Sequence, residues 1–573
     1  MNDQKNMLLA IILSMAILFV WDFFYGPKIN PEGQKNSIIE NNNQNDLIND
    51  EPIRPNLLNS DNVKIIDRDQ IIKSDNRVQI ETESLRGSIS LKGLRLDDLT
   101  LLKYRETTLP DSNKIILLSP KYTDNPYYAD IRWLSTDNSL LLPNIETEWS
   151  YDKNLDLLLN SSNTINLYWH NGQNIHFKRT ITIDDNYMFT IYDEVENKSN
   201  KEISLYPYGS ITRIKTPKVT GFFILHEGPL GVFDDTLKEF DYSDLQEKKK
   251  EQIISTGGWS GITDKYWLTA LAFEQNKKIQ TSLNHIFKEN NDHYQVDFVT
   301  TEPTIISPGQ SSSAQTYFFA GAKEVKLLDQ YSESIGISRF DLAIDFGWFY
   351  FLTKPLFYSL IWLKDTLGNF GLAILILTVF LRLLLYPLAD KQFKAMTKLK
   401  KLQPDMKKLQ ERYADDKTKL NQELMELYKK EKANPAAGCL PILVQIPIFF
   451  ALYKVLFVTI EMRHTPFYGW INDMSARDPT SIFNLFGLLP YDVPSLLVLG
   501  AWPIIMGVTM WLQQKLNPAP TDPIQAKIMS FLPIIFTVML ASFPAGLVIY
   551  WAWSNALGIL QQWSIMRKAG VKA

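Results

Sequence analysis

The 573 residues include a single cysteine, Cys439, which excludes an intrachain disulfide framework and any cysteine-rich zinc module. Histidine is also scarce. The six, His170, His176, His226, His285, His293 and His464, form neither HExxH nor a paired ligand spacing, so neither metal nor cofactor is expected. The signatures GxSxG, GxxxxGK and GxGxxG are missing; without a nucleophile elbow or a nucleotide cradle the chain is not read as an enzyme. A basic surplus is lacking too. Fifty-nine Lys and Arg against 63 Asp and Glu give a formal charge of −4, which argues against a general DNA-binding surface.

What is present is strong asymmetry along the chain. Mean hydropathy is −0.14, but this average joins a polar first 340 residues to an apolar remainder. Met7 to Trp21 is apolar except for Ser14 and runs into Asp22 and bulky aromatics rather than a small-x-small site, so residues 1–25 read as an uncleaved signal anchor. Further spans are expected at 370–388, 440–460 and 494–512. The apolar run 528–563 is 36 residues long, a helix of about 54 Å against a hydrocarbon core of about 30 Å. Phe543-Pro544-Ala545-Gly546 should divide it into spans 528–543 and 547–563.

Six crossings follow, and charge orients them. Residues 389–440 carry thirteen Lys/Arg against eight Asp/Glu and belong in the cytoplasm. Parity then puts both termini there and the large region 22–369 on the opposite side. Residues 341–367 contain Lys354-Pro355 among many aromatic residues and read as an interfacial amphipathic helix rather than a seventh span.

Residues 26–62 hold ten asparagines and few aromatics, the composition of a disordered tether. Over 63–340 the hydropathy alternates with period two between turn signals, which predicts an all-β sandwich. Within it, Thr164–His170 and Asn174–Asp184 flank Asn171-Gly172 and predict a hairpin with a type I′ turn. The many carboxylates here show no catalytic spacing and are expected on solvated strand faces. In the cytoplasmic segment 389–438, leucines recur at steps of three and four on both sides of 414–417, predicting a helical hairpin with Asp416 as an N-cap and a kink or restart at Pro404. Its cations include Lys398, Lys400, Lys401, Lys407, Lys408 and Arg412. They fit either a solvated hairpin or a docking arm for incoming chains, lipid headgroups or a ribosome.

Arg382 lies within an apolar span, six residues before its expected cytoplasmic end. An intramembrane arginine costs about 2.5–3.5 kcal/mol unless it meets a partner or water. Thr378 is one turn away on the same face, and Gln445, Ser554 and Asn555 fall at comparable depth in other spans. These groups fit a polar pocket; a snorkelling anchor with interhelical amides is the other reading. Lys454, nearer the outer end of its span, is expected to snorkel, and Cys439 to be a small packing residue.

The stretches NPAAGCLPILVQIPIFFALY at 434–453, LQPDMKKLQERYADDKTKLNQELMELYKKEK at 402–432, DPIQAKIMSFLPIIFTVMLASFPAGLVIYWAWSN at 522–555, and YPYGSITR, HEGPLGV and GITDKYW in the β region resemble the YidC family of bacterial membrane protein insertases, of the Gram-negative type. The resemblance implies a polytopic α-helical membrane protein with six spans, a five-helix insertase core over 368–573, and an all-β periplasmic supersandwich. It implies an inner-membrane, multi-pass location. The implied function is insertion of membrane proteins through an inner-leaflet hydrophilic groove formed by Arg382, Thr378, Gln445, Tyr550, Trp551 and Asn555. Implied partners are nascent membrane proteins, the Sec translocon with its accessory subunits, ribosome, signal recognition particle receptor and membrane lipids. Lys454 and Trp551 stand where some members carry tyrosine. A channel or lipid scramblase using the same groove is the alternative reading; an envelope-binding protein with a membrane anchor leaves five of the spans without a purpose.

Overall fold

The computed structural model describes residues 65–152, 156–219, 225–347, 349–413, 416–431, 440–491, 493–494, 498–517 and 523–568, together with Pro52, Arg54 and Pro55. The expected anchor 1–25, most of the tether 26–62 and Cys439 lie outside the described residues. Two compact units emerge: Met1–Leu102, Ile116–Gly321 and Tyr331–Phe340 form the first, and Lys103–Ile115, Ala322–Gln330 and Asp341–Ala573 the second.

The first unit is built on two sheets. In order across the larger sheet stand β14 (Lys250–Thr256), β17 (Lys278–Lys288), β18 (Asn291–Thr300), β11 (Ile203–Ile214), β5 (Tyr127–Leu134), β3 (Leu96–Arg105), β2 (Leu85–Ser90), β1 (Arg77–Glu81) and β7 (Leu158–Leu159). Off this path, β4 (Lys114–Leu118) pairs with β3 and β19 (Thr304–Ile306) with β11. The smaller sheet runs β13 (Thr236–Glu239), β12 (Gly228–Phe233), β15 (Trp259–Thr263), β16 (Trp267–Phe273), β20 (Ser311–Ala322), β10 (Met188–Asn197), β9 (Ile175–Ile183), β8 (Ile165–His170) and β6 (Ser150–Tyr151). Short helices α1 (Arg68–Ser74) and α2 (Tyr242–Lys248) accompany them.

Alternation explains the packing. Val296 and Phe298 of β18 are buried, and Phe298 meets Phe273 of the facing sheet at 5.4 Å between ring centroids. Two expectations for this region are corrected. The β8–β9 connection is the four-residue loop 171–174, not a two-residue type I′ turn, because the Asn171 side chain accepts from the backbone N–H groups of Gln173 (2.8 Å) and Ile175 (3.1 Å) and itself closes the loop. Several carboxylates are buried rather than solvated. Arg179 grips Asp193 through two bonds of 2.6 and 2.8 Å, and Arg95 and Arg132 share Asp130 at 3.0 and 3.1 Å. Planar guanidinium forks satisfy these oxygens, so the acids leave water without being left unpaired.

Helices dominate the second unit. Besides α3 (Val325–Ser334), the chain there forms α4 (Tyr350–Leu367), α5 (Phe370–Leu384), α6 (Tyr386–Arg412), α7 (Lys417–Lys430), α8 (Leu440–Val458), α9 (Ala501–Leu516), α10 (Pro523–Leu540) and α11 (Ala545–Lys568). Helix α5 packs on α4 and α11, α8 on α4, and α9 between α10 and α11. Among the described residues no single helix is long and apolar enough to cross a membrane; α5 and α6, bent by 68° to one another, pass that test together.

The expected helix at 494–512 is shifted. It starts at Ala501 because polar groups further upstream hold its entry: Thr480 Oγ1 accepts from Ala501 N (3.0 Å) and buried Asp478 accepts from Trp502 N (2.9 Å). A Cβ on Gly500 would lie 2.5 Å from the Asp478 carboxyl carbon, so this cap requires glycine. The helix at 370–388 ends early at Leu384, and α6 restarts with Pro387 in its first turn, where a missing N–H costs nothing. The basic hairpin is α6 and α7, and Asp416 does cap α7 by accepting from Thr418 and Lys419 N–H groups. Pro404 neither ends nor restarts α6. It is solvent-exposed, so the carbonyl that loses its N–H partner is not sealed in an apolar core.

Candidate functional site

Arg382 occupies the last turn of α5, two residues before the helix end, not one and a half turns inside a longer helix. A cation there is favoured by the negative end of the helix dipole. Its Nη2 donates to the Ser554 carbonyl (2.7 Å) and to Ser554 Oγ (2.9 Å) on α11. Among the described residues no carboxylate pairs with it. Thr378, one turn earlier, spends its hydroxyl on the Ile374 carbonyl at 2.6 Å; it shapes the wall and holds its own helix.

Helix α11 supplies most of the rest. Tyr550 is buried and Trp551 half-buried, with the Trp551 ring 4.8 Å from Phe449 of α8 and 5.7 Å from Phe536 of α10. Asn555 Nδ2 reaches Thr509 Oγ1 of α9 at 3.4 Å. Together these residues line a cavity of about 300 Å³ that includes Thr378, Arg382, Tyr550, Trp551, Ser554 and Asn555. Gln445 belongs to α8, but its side chain lies outside the described residues.

Three polar groups in this cavity escaped the sequence reading. Gln392 of α6 and Gln513 and Asn517 at the end of α9 line it, and Asn517 Oδ1 accepts from Gln562 Nε2 at 3.0 Å. The expected span closes at Leu512, one residue short of Gln513, whereas α9 runs on to Leu516. Gly558 makes room: a Cβ there would stand 2.8 Å from Gln513 Nε2 and 3.4 Å from Arg382 Nη2. A small residue on α11 is thus what lets the guanidinium and the amide lie side by side.

The basic hairpin presents Lys398, Lys401, Lys407, Lys408 and Arg412 at exposed positions of α6 and Lys400 at a half-buried one. Lys408 pairs with Asp405 at 3.1 Å. The hairpin closes on its own apolar seam of Leu402, Met406 and Leu424. Lys454 does not snorkel: it is 9% exposed and its Nζ lies 2.5 Å from Asp345 Oδ2.

A two-sheet β domain in one unit and, in the other, short apolar helices with a polar cavity at an arginine that has no carboxylate partner among the described residues fit one class, a helical membrane protein bearing a large β domain. Family models agree in both halves, with "60Kd inner membrane protein" matching residues 362–572 and "YidC periplasmic domain" residues 77–359. The membrane protein insertase YidC of Rickettsia massiliae (strain Mtu5) is 46% identical over 565 residues, covering 98% of this chain and 99% of the relative. That of Rickettsia bellii (strain OSU 85-389) is 47% identical over 566 residues with the same coverage. A solved structure described as an active YidC insertase with its first transmembrane domain resolved is 18% identical, covers 85% of this chain and 94% of its own, and aligns with a TM-score of 0.35. This chain belongs to the YidC family of membrane protein insertases.

Proposed function

We propose that this chain inserts nascent membrane proteins into the inner membrane through the cavity around Arg382. The observation that carries the reading is a guanidinium held in a largely apolar helical unit by a backbone carbonyl and a hydroxyl, with no acid to neutralise it among the described residues. Such a charge is tolerated where water or a mobile partner reaches it. A hydrophilic client segment entering the cavity meets Arg382, Gln513 and Asn555, so part of its desolvation cost is offset before it crosses. The apolar part of the client then leaves sideways into lipid, each buried CH₂ contributing about 0.8 kcal/mol.

In this reading α5, α8, α9, α10 and α11 are the five spans of the core, an anchor within residues 1–25 is the sixth, and both termini are cytoplasmic. The thirteen cations of 389–440 support that orientation. The short apolar stretches of α8 and α10 favour a locally thinned bilayer. Domain limits are those of the sequence: tether 26–62, β domain 63–340, interfacial helix 341–367 and core 368–573. The chain works alone or beside the Sec translocon, with ribosome, signal recognition particle receptor and lipids as further partners.

The test is site-specific photocrosslinking from positions 378, 445 and 550 to stalled nascent chains. The proposal expects adducts with the client's polar flank. Adducts with lipid alone overturn it, and ion conductance or lipid flipping without client supports a channel or scramblase instead.

A further inference from the structure

On the larger sheet, one cross-strand row is polar over five strands. The register places Gln252 of β14 opposite Ser282 of β17, Ser282 opposite Asp297 of β18, Asp297 opposite Ser210 of β11, and Ser210 opposite Asp130 of β5. Side chains alternate along a strand, and Phe298 packs on the facing sheet, so this row lies on the other face. It is nonetheless shielded from water: Ser282, Asp297 and Ser210 are 0%, 2% and 4% exposed. Asp130 has Arg95 and Arg132 as partners. For Asp297, the single ion-pair partner among the described residues comes from far away in sequence, at Arg54.

Arg54 lies in the segment whose composition predicts a tether. Its Nη1 donates to both Ser282 Oγ and an Asp297 carboxylate oxygen, and its Nη2 to Gln280 Oε1 at 2.5 Å. The other oxygen of Asp297 accepts from Asn284 Nδ2 at 3.0 Å, and Ser282 Oγ accepts from Gln252 Nε2 at 3.3 Å. Acceptors at Gln280, Ser282 and Asp297 thus address two different nitrogens of one planar group. That pattern suits a guanidinium; an ammonium, with a single nitrogen, cannot span it.

We propose that the polar row at β17–β18 is a guanidinium-recognition site whose resident ligand is Arg54 of the same chain, which straps the chain at that residue onto the outer face of the larger sheet. The strap fixes the chain at Arg54, upstream of α1, to β17 and β18. Because Arg54 sits outside every strand and helix, its removal leaves the two sheets with all their ladder pairs.

The experiment uses the full-length chain in lipid nanodiscs, with Cys439→Ser and a nitroxide pair at Pro52→Cys and Lys278→Cys, read by pulsed electron resonance. The parent should give one narrow distance distribution. Arg54→Ala should broaden it at least twofold, and Arg54→Lys and Asp297→Asn should broaden it measurably, while Arg86→Ala, which removes only an exposed pair with Glu81, leaves it narrow. A narrow distribution in Arg54→Ala overturns the strap. Parent-like width in Arg54→Lys overturns recognition of a guanidinium in favour of simple charge. Melting of each variant at the parent's temperature, within about 2 °C, shows that the readout reports the strap and not loss of fold.

Discussion

A buried carboxylate and its distant arginine make the site on the β domain responsive to pH. Burial pushes the Asp297 carboxyl up to about 6, against the opposing pull of Arg54 and of Lys250 on β14. The buried Tyr208 hydroxyl of β11 is a further titratable group beside it. Arg54 prefers the ionised form, so removing Arg54 raises that value further. By linkage, the grip of Arg54 is greatest when Asp297 is ionised with or without the strap, and is lost as pH falls toward about 6. The nitroxide distribution should therefore be narrow at pH 8.5 and broaden on acidification through pH 6, whereas Asp297→Asn should show one width throughout. In the helical unit, Lys454 and Asp345 form a mostly buried pair beside Gly347, whose positive φ of 70° favours glycine there. Lys454→Met alone should destabilise the unit by about 3 kcal/mol, and adding Asp345→Leu should restore most of that, because a half-broken pair is worse than none. Thermal unfolding in detergent measures both; equal stability of parent and single variant contradicts the assignment.

Among the elements, what hydropathy reveals and what it conceals differ in kind. Period-two alternation marks β9 and β10 because each has one face on a core, and the i, i+3, i+4 leucines mark α6 and α7 because their seam is narrow. Apolar runs report which residues leave water, not where a helix begins. The start of α9 is decided by Asp478 and Thr480, twenty-odd residues upstream, and no local pattern carries that information. The apolar run likewise closes at Leu512, short of Gln513 and Asn517, whereas Arg382, Thr378, Tyr550, Trp551 and Asn555 are legible because a polar group inside an apolar run, or a family motif, marks them. Buried Asp297 is illegible because its arginine, Arg54, is 243 residues away in sequence, and Asp193 because its pairing with Arg179 depends on the β9–β10 register, which places the two directly opposite. The α6–α7 hairpin yields a prediction of its own. If its cations capture clients, replacing Lys398, Lys401, Lys407, Lys408 and Arg412 by glutamine should weaken capture several-fold at low salt, and the difference should shrink above 0.1 M, where the Debye length is about 10 Å. Salt-independent capture equal to the parent's assigns the hairpin to orientation alone. These residues are exposed and their replacement should leave the Leu402–Met406–Leu424 seam intact.

For the whole molecule, insertion and the role of the β domain are proposed to be separable. The cavity draws its lining from α5, α6, α8, α9 and α11 and from Leu385 and Asn517 at helix ends, so deleting about residues 80–300 should spare insertion of simple clients; insertion lost at normal membrane levels of the truncated chain would assign the β domain a direct part. The central claim is that Arg382 serves as a positive charge facing a wet cavity. One measurement tests it most directly: insertion of a client series with graded acidic tails by the parent, Arg382→Lys and Arg382→Ala, normalised to the level of each variant in the membrane. Lysine should retain substantial activity, since it keeps the charge while losing the planar fork. Alanine should fail progressively as tail acidity rises, at undiminished protein level, because Arg382 has no carboxylate partner among the described residues and, at the proposed membrane depth, removing such a charge relieves a burial cost. Equal insertion of the most acidic clients by the alanine variant, or failure that merely tracks loss of protein from the membrane, would overturn the charge role of Arg382.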